Sequence, residues 1–155
     1  MSVLVPTKVI LHCSATRDDD SLSWEAIRRY HVDTLGWDDI GYHYGIEMYN
    51  GQLVYKRGRS PYVKGAHCKA AGRNADSLGV CVVGNYDDVP PDDDRMDATV
   101  CFVANLCFVF GIPADQVYGH SEFEPMKTCP GKKWNMDLTR AEIEHALKEF
   151  EGWDV

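Results

Sequence analysis

The run from Leu78 to Gly84, LGVCVVG, most constrains what this chain can become. Its apolar residues are continuous rather than alternating, as in a strand covered on both faces, so the sheet that holds it is central and flanked by other layers. Lys8 to His12 (KVILH) is a second short apolar run, rich in β-branched residues. It passes into the turn and capping residues of SATRDDDS, which makes it a strand feeding a loop. Between these two, YHYGIEMY and QLVYK flank Asn50-Gly51. That dipeptide is the strongest short-range hairpin signal and joins two antiparallel strands.

Helical spacing fills the remaining segments. From a Ser23 cap with Glu25 in the first turn, Ala26, Ile27 and Tyr30 recur on one face until Gly36 stops the pattern. The acidic stretch Asp87 to Asp94 suits a loop and a solvated helix start, favoured by the positive end of the helix dipole. Met96, Val100, Val103, Cys107 and Phe110 then keep helical spacing up to Gly111 and Pro113. A short strand is expected around Val117 and Tyr118. Thr139 with Glu142 reads as a capping box ahead of Ile143, Ala146, Leu147 and Phe150. No repeat or linker interrupts this order. The expectation is an α+β fold, one domain over residues 1–155, with a central mixed β-sheet flanked by about three α-helices.

Charge narrows the partners. Sixteen Lys and Arg against 24 Asp and Glu give a net charge of −8, a field that repels polyphosphates and anionic lipid, so neither nucleic acid nor a membrane surface is expected as a partner. The longest nearly apolar stretch, Val100 to Ile112, contains Asn105 and falls short of the roughly 20 residues that cross a bilayer. It reads as a core helix. The start MSVLVPTK lacks the basic region, apolar segment and cleavage site of a signal peptide, so synthesis in the cytosol without export by that route is expected. In such a compartment the six cysteines are free thiols or ligands rather than staples.

Three soft-metal donors stand at strand ends or in loops: His12 after the first strand, His120 after the short strand, and Cys129 nine residues later. Two neutral imidazoles and one thiolate suit a tetrahedral Zn²⁺ whose fourth position is left to water. Spacing alone also admits three separate packing residues.

VILHCSAT (Val9 to Thr16), GWDDIGYHYGIEMYNGQLVYKRG (Gly36 to Gly58), GAHCKAAGRNADSLGVCVVGNYD (Gly65 to Asp87) and HSEFEPMKTCPG (His120 to Gly131) resemble the successive motifs of the zinc-dependent N-acetylmuramoyl-L-alanine amidases. Within the type 2 amidase and peptidoglycan recognition protein superfamily, they are most similar to the small bacteriophage lysozymes that are amidases by mechanism. The resemblance runs from about Lys8 to Phe150. It implies His12, His120 and Cys129 as zinc ligands, Tyr42 as the active-site tyrosine of the GYH block, and Lys127 as the active-site lysine. Related members carry Asp at the third ligand position, so Cys129 groups the chain with the phage-lysozyme branch. The implied reaction is hydrolysis of the amide between the lactyl group of N-acetylmuramic acid and L-alanine. In it Tyr42 would orient water or shuttle its proton, and Lys127 would stabilise the oxyanion. Without the neighbouring ligands, the two would read as a packed aromatic and a solvated amine.

The resemblance also places His67 at the substrate cleft as a substrate or transition-state contact; Asn74 and Trp37 are candidate contacts to glycan or peptide. Trp37 reads equally as a packing residue after Gly36. His43, adjacent to Tyr42 on a strand, points to the opposite face and is expected as a hydrogen-bonded core histidine. His31 and His145 are expected at the surface. Cys81, Cys101 and Cys107 read as small hydrophobes. Cys13 and Cys68, beside His12 and His67, leave open a thiol-dependent peptidoglycan hydrolase. The expected protein is thus a monomeric zinc amidase acting on peptidoglycan. It is expected to work as a phage endolysin on a Gram-negative-type wall, made in the host cytoplasm and reaching the wall after a membrane lesion. The alternatives are a cytosolic amidase that recycles wall fragments and a non-catalytic peptidoglycan-binding module.

Overall fold

The computed structural model describes residues 3–18 and 23–152. Five strands, β1 (Lys8–Cys13), β2 (Tyr44–Tyr49), β3 (Gln52–Arg57), β4 (Ser77–Val82) and β5 (Val117–Gly119), form one sheet in the order β3-β2-β4-β1-β5. β4 pairs in parallel with both β1 and β2, β1 pairs in parallel with β5, and β2 and β3 form the antiparallel hairpin. The mixed sheet is therefore the one expected. Asn50 and Gly51 at the hairpin tip have φ of 50° and 73°, the left-handed pair that a type I′ turn requires.

Every residue of β4 is buried, because its two faces meet different layers. Leu78, Val80 and Val82 join Val9, Leu11 and Cys13 of β1 in a core packed against α2 (Asp93–Phe110) and α3 (Met136–Glu151). Cys81 faces the other way, with Trp24 of α1 (Ser23–Arg29) and Ile40. Gly45 of β2 makes room there, since a Cβ on it would lie 2.3 Å from the Trp24 ring. In the β1–β4 register His12 lies opposite Cys81, so alternation along β1 puts His12 on the α1 side of the sheet.

Two local expectations are corrected. Asn135 caps α3, its side chain accepting from Leu138 N at 2.9 Å, and the Thr139–Glu142 box is not used. The Thr139 hydroxyl instead accepts from the Trp134 indole at 3.0 Å and is fully buried. Cys101 sits on the exposed side of α2, whereas Cys81 and Cys107 are buried as expected. Among the described residues, no helix is long and apolar enough to cross a membrane.

Candidate active site

β1 and β5 run side by side in parallel, Gly119 at the end of β5 opposite Leu11, so the segments leaving the two strands meet at the carboxyl edge of the sheet. His12 is the penultimate residue of β1, and His120 directly succeeds β5; their rings lie 4.6 Å apart, both buried. The loop after His120 folds back through Ser121 N, which donates to Cys129 O at 2.9 Å. This brings the Cys129 thiol to the His120 ring and to within 3.4 Å of the Cys13 sulfur. Tyr42, entering β2, sets its ring 5.0 Å from His12, with its hydroxyl bonded to the Cys81 thiol.

His67 and Asn74 sit beneath this edge rather than on it. His67 is buried, its Nδ1 2.9 Å from His12 Nε2, and its ring occupies the space a side chain at Gly79 would need. The Asn74 side-chain oxygen accepts from the backbone N–H of both His67 and Cys68 at 2.8 Å, holding their loop in place. Trp37 is half-buried against His31, with ring centroids 4.6 Å apart. Lys127 is exposed on the Cys129 loop, its backbone N–H donating to Glu124 O. His43 is the core histidine expected: it is fully buried, accepts from Gly79 N and donates to Val63 O. His145 is exposed and faces Glu149.

Two residues at the site escape a reading of the sequence. His31, expected at the surface, is carried by the π-helical turn Tyr30–Thr34, accepts from Gly41 N at 2.9 Å, and lies 5.9 Å from Tyr42. With Arg17, Ala26, Ile27, Tyr30 and Tyr42 it lines a cleft of about 630 Å³. Glu124 lies within HSEFEPMKTCPG with no role assigned to it there, yet its carboxylate lies 2.5 Å from His120 Nε2. The only trace of it in the sequence is the four-residue spacing from His120.

Burial, then the neighbouring imidazoles, pushes the His12 pKa well below its ordinary value, and burial holds His67 down to about 3. Both rings are therefore neutral near pH 7. Burial opposes charge on His120 too, but its bonds to Cys129 and Glu124 outweigh that and raise its pKa. The Cys129 thiol is held below its ordinary value, first by its hydrogen bond with the Cys13 thiol and then, against burial, by His120. Cys13 is correspondingly driven up and keeps its proton. Burial also raises Tyr42, which stays a phenol.

One thiolate and neutral imidazole nitrogens suit a soft divalent ion. Two donor sets share His120. Among the described residues, Cys68, His120 and Glu124 form the group whose donor atoms already lie within 4.8 Å of one another. The other set is His12, His120 and Cys129, whose sulfur is turned toward Cys13. The chemistry of the sulfurs differs: burial pushes Cys68 up to about 11, a neutral thiol, whereas Cys129 is the ready thiolate.

The family model for N-acetylmuramoyl-L-alanine amidases, Amidase_2, matches residues 3–132. The chain belongs to this amidase family. The endolysin of Escherichia phage T7 is 39% identical over 80 residues, which are 52% of this chain and 49% of the endolysin. The chain thus spans about half the length of the curated relatives it matches first. Among solved amidase structures, LysC of Clostridium intestinale shares the fold with a TM-score of 0.73 at 22% identity, over 92% of this chain and 90% of that one. A variant of Drosophila PGRP-LB, solved in complex with tracheal cytotoxin, superposes with a TM-score of 0.71 at 28% identity, over 89% and 85% of the two chains.

Proposed function

We propose that this chain is a zinc-dependent hydrolase of the amide between N-acetylmuramic acid and L-alanine in peptidoglycan, with His12, His120 and Cys129 as the ligands. The observation that carries the proposal is the meeting of a neutral His12, a Cys129 thiolate and the His120 ring at one sheet edge, beside Tyr42 and an open cleft. Family membership supports the reaction, and the PGRP-LB complex with tracheal cytotoxin, a monomeric diaminopimelic acid-type peptidoglycan, supports a peptidoglycan-fragment ligand. When bound, zinc would polarise the scissile carbonyl and make water a stronger nucleophile.

The chain's own residues supply the rest. Tyr42 keeps its proton and sets its ring beside His12 with its hydroxyl on the Cys81 thiol; exchanging that bond for one to substrate or water would let it orient water or pass on a proton. Lys127, on the same loop as Cys129, carries the only charge of the right sign for the oxyanion on that loop between His120 and Cys129. Trp37 and Asn74 act in this reading by holding His31 and the His67 loop. The substrate would lie in the cleft by Arg17 and His31. The biological setting proposed is host lysis, the enzyme reaching the wall after a membrane lesion.

One observation favours a second reading. Cys129, His120 and Glu124 stand in the order thiolate, imidazole, carboxylate, the arrangement of a cysteine hydrolase. Mass spectrometry of products from purified sacculi, with and without a chelator, separates the two. The zinc reading expects free alanine amines on the stem peptides, intact glycan, and loss of cleavage on chelation. Cleavage that survives chelation supports the thiolate nucleophile, and new reducing sugar ends without alanine amines refute the amidase.

A further inference from the structure

Both candidate ligand histidines are gripped at Nε2. Ser77 Oγ donates its single proton to Arg73 O at 2.5 Å, so toward His67 Nε2, 3.3 Å away, it can only accept. His67 therefore carries its proton on Nε2, and its bare Nδ1 must accept from His12 Nε2 at 2.9 Å. This leaves His12 Nδ1 as that ring's lone pair. A carboxylate only accepts, so the 2.5 Å contact of Glu124 with His120 fixes the proton of that ring on Nε2 as well. The nitrogen left to His120 for Cys129, and for a metal, is again Nδ1.

The local fold is built around these contacts. Glu124 N donates to His120 O at 3.1 Å, and that single turn swings the carboxylate over the ring. Glu122, nearer in sequence, is unavailable because it accepts from Gly119 N and pairs with Arg140. His67 is fixed from below by Gly79 and Ser77 and at its backbone by Asn74.

We propose that Glu124 and His67 are positioning residues, each holding the Nε2–H of one ligand histidine so that both Nδ1 atoms point at a shared zinc with Cys129. The proposal rests on the zinc reading above and opposes the alternative in which Glu124 and Cys68 are themselves ligands. Outer-shell partners of this kind typically set metal affinity by 10–100-fold.

The test is zinc affinity, measured by competition with a chromophoric chelator, together with two-bond proton–nitrogen NMR of the imidazole rings in the zinc-loaded protein. The parent is expected to bind one zinc, with both ligand rings protonated on Nε2 and metallated on Nδ1. Glu124→Ala should bind about 10–100-fold more weakly. Glu124→Gln should recover most of the loss, since the amide oxygen still accepts, and Cys68→Ala should bind like the parent. His67→Gln against His67→Ala repeats the comparison on the other ring. Equal loss in Glu124→Gln and Glu124→Ala together with loss in Cys68→Ala would make these residues ligands and overturn the proposal. One bound zinc in the parent with unchanged affinity and tautomer in Glu124→Ala and His67→Ala would overturn it alone. A parent that takes up no zinc would overturn the metal reading and this inference together.

Discussion

Single protons decide what the residues at this sheet edge can do. The Cys13 and Cys129 sulfurs are in contact and their pKa values are driven apart, Cys13 up and Cys129 down, so Cys129 is the more nucleophilic of the two. In metal-free protein, brief alkylation with iodoacetamide and peptide mapping should therefore label Cys129 ahead of the buried Cys13, Cys68 and Cys81. Preferential labelling of Cys68 would reverse the assignment of donors. Tyr42→Phe and Lys127→Ala should keep zinc and fold but lose about 10²–10³-fold in turnover, the usual cost of removing a proton shuttle or an oxyanion partner. Zinc loss in either variant would make that residue structural. His12, Tyr42, His120 and Cys129 were legible because motif order and strand ends place them. Glu124 and His31 were not, since a carboxylate four residues on and a helical histidine look like any solvated side chain until the chain direction is known.

At the scale of elements, periodicity carried most of the information. The unbroken apolar run of β4 announced a two-sided burial, and Asn50-Gly51 announced the hairpin. What periodicity could not supply was register, and register is what sets His12 opposite Cys81 and so on the α1 side. Helix starts were harder: Thr139 and Glu142 fit a capping box, but the Trp134 indole claims the hydroxyl and Asn135 caps one turn earlier. Asn135→Ala should accordingly cost about 1 kcal/mol of stability in urea unfolding. Glu142→Ala should cost much less, and a reversed order would restore the box. Gly45→Ala, which pushes a Cβ into the Trp24 ring, should cost about 1–3 kcal/mol by the same measurement.

Across the whole molecule, the cluster of buried neutral imidazoles ties stability to pH. His12, His43 and His67 all have folded-state pKa values below the ordinary 6.5, chiefly through burial. The unfolded chain then binds more protons below about pH 6.5, so their contribution is complete above that value and is lost on acidification toward the folded pKa, about 3 for His67. Cys129, lowered from 9.0, adds a slope of the same sign that begins higher, as pH falls below about 9. His120 acts in the opposite sense, because its raised pKa contributes stability below 6.5 that fades as pH rises. Metal-free protein should lose stability between pH 7 and 5, each depressed histidine contributing up to about 1.4 kcal/mol per pH unit. Constant or rising stability over that interval in urea unfolding would contradict the assignment of these rings as neutral.

The central claim is that zinc sits between His12, His120 and Cys129 rather than at Cys68, His120 and Glu124, and X-ray absorption at the zinc edge tests it most directly. Protein reconstituted with one equivalent of zinc should show a single sulfur near 2.3 Å with imidazole nitrogens at about 2.0–2.1 Å. The sulfur signal should vanish in Cys129→Ser and persist in Cys68→Ser. A signal that survives in Cys129→Ser and disappears in Cys68→Ser would contradict the account.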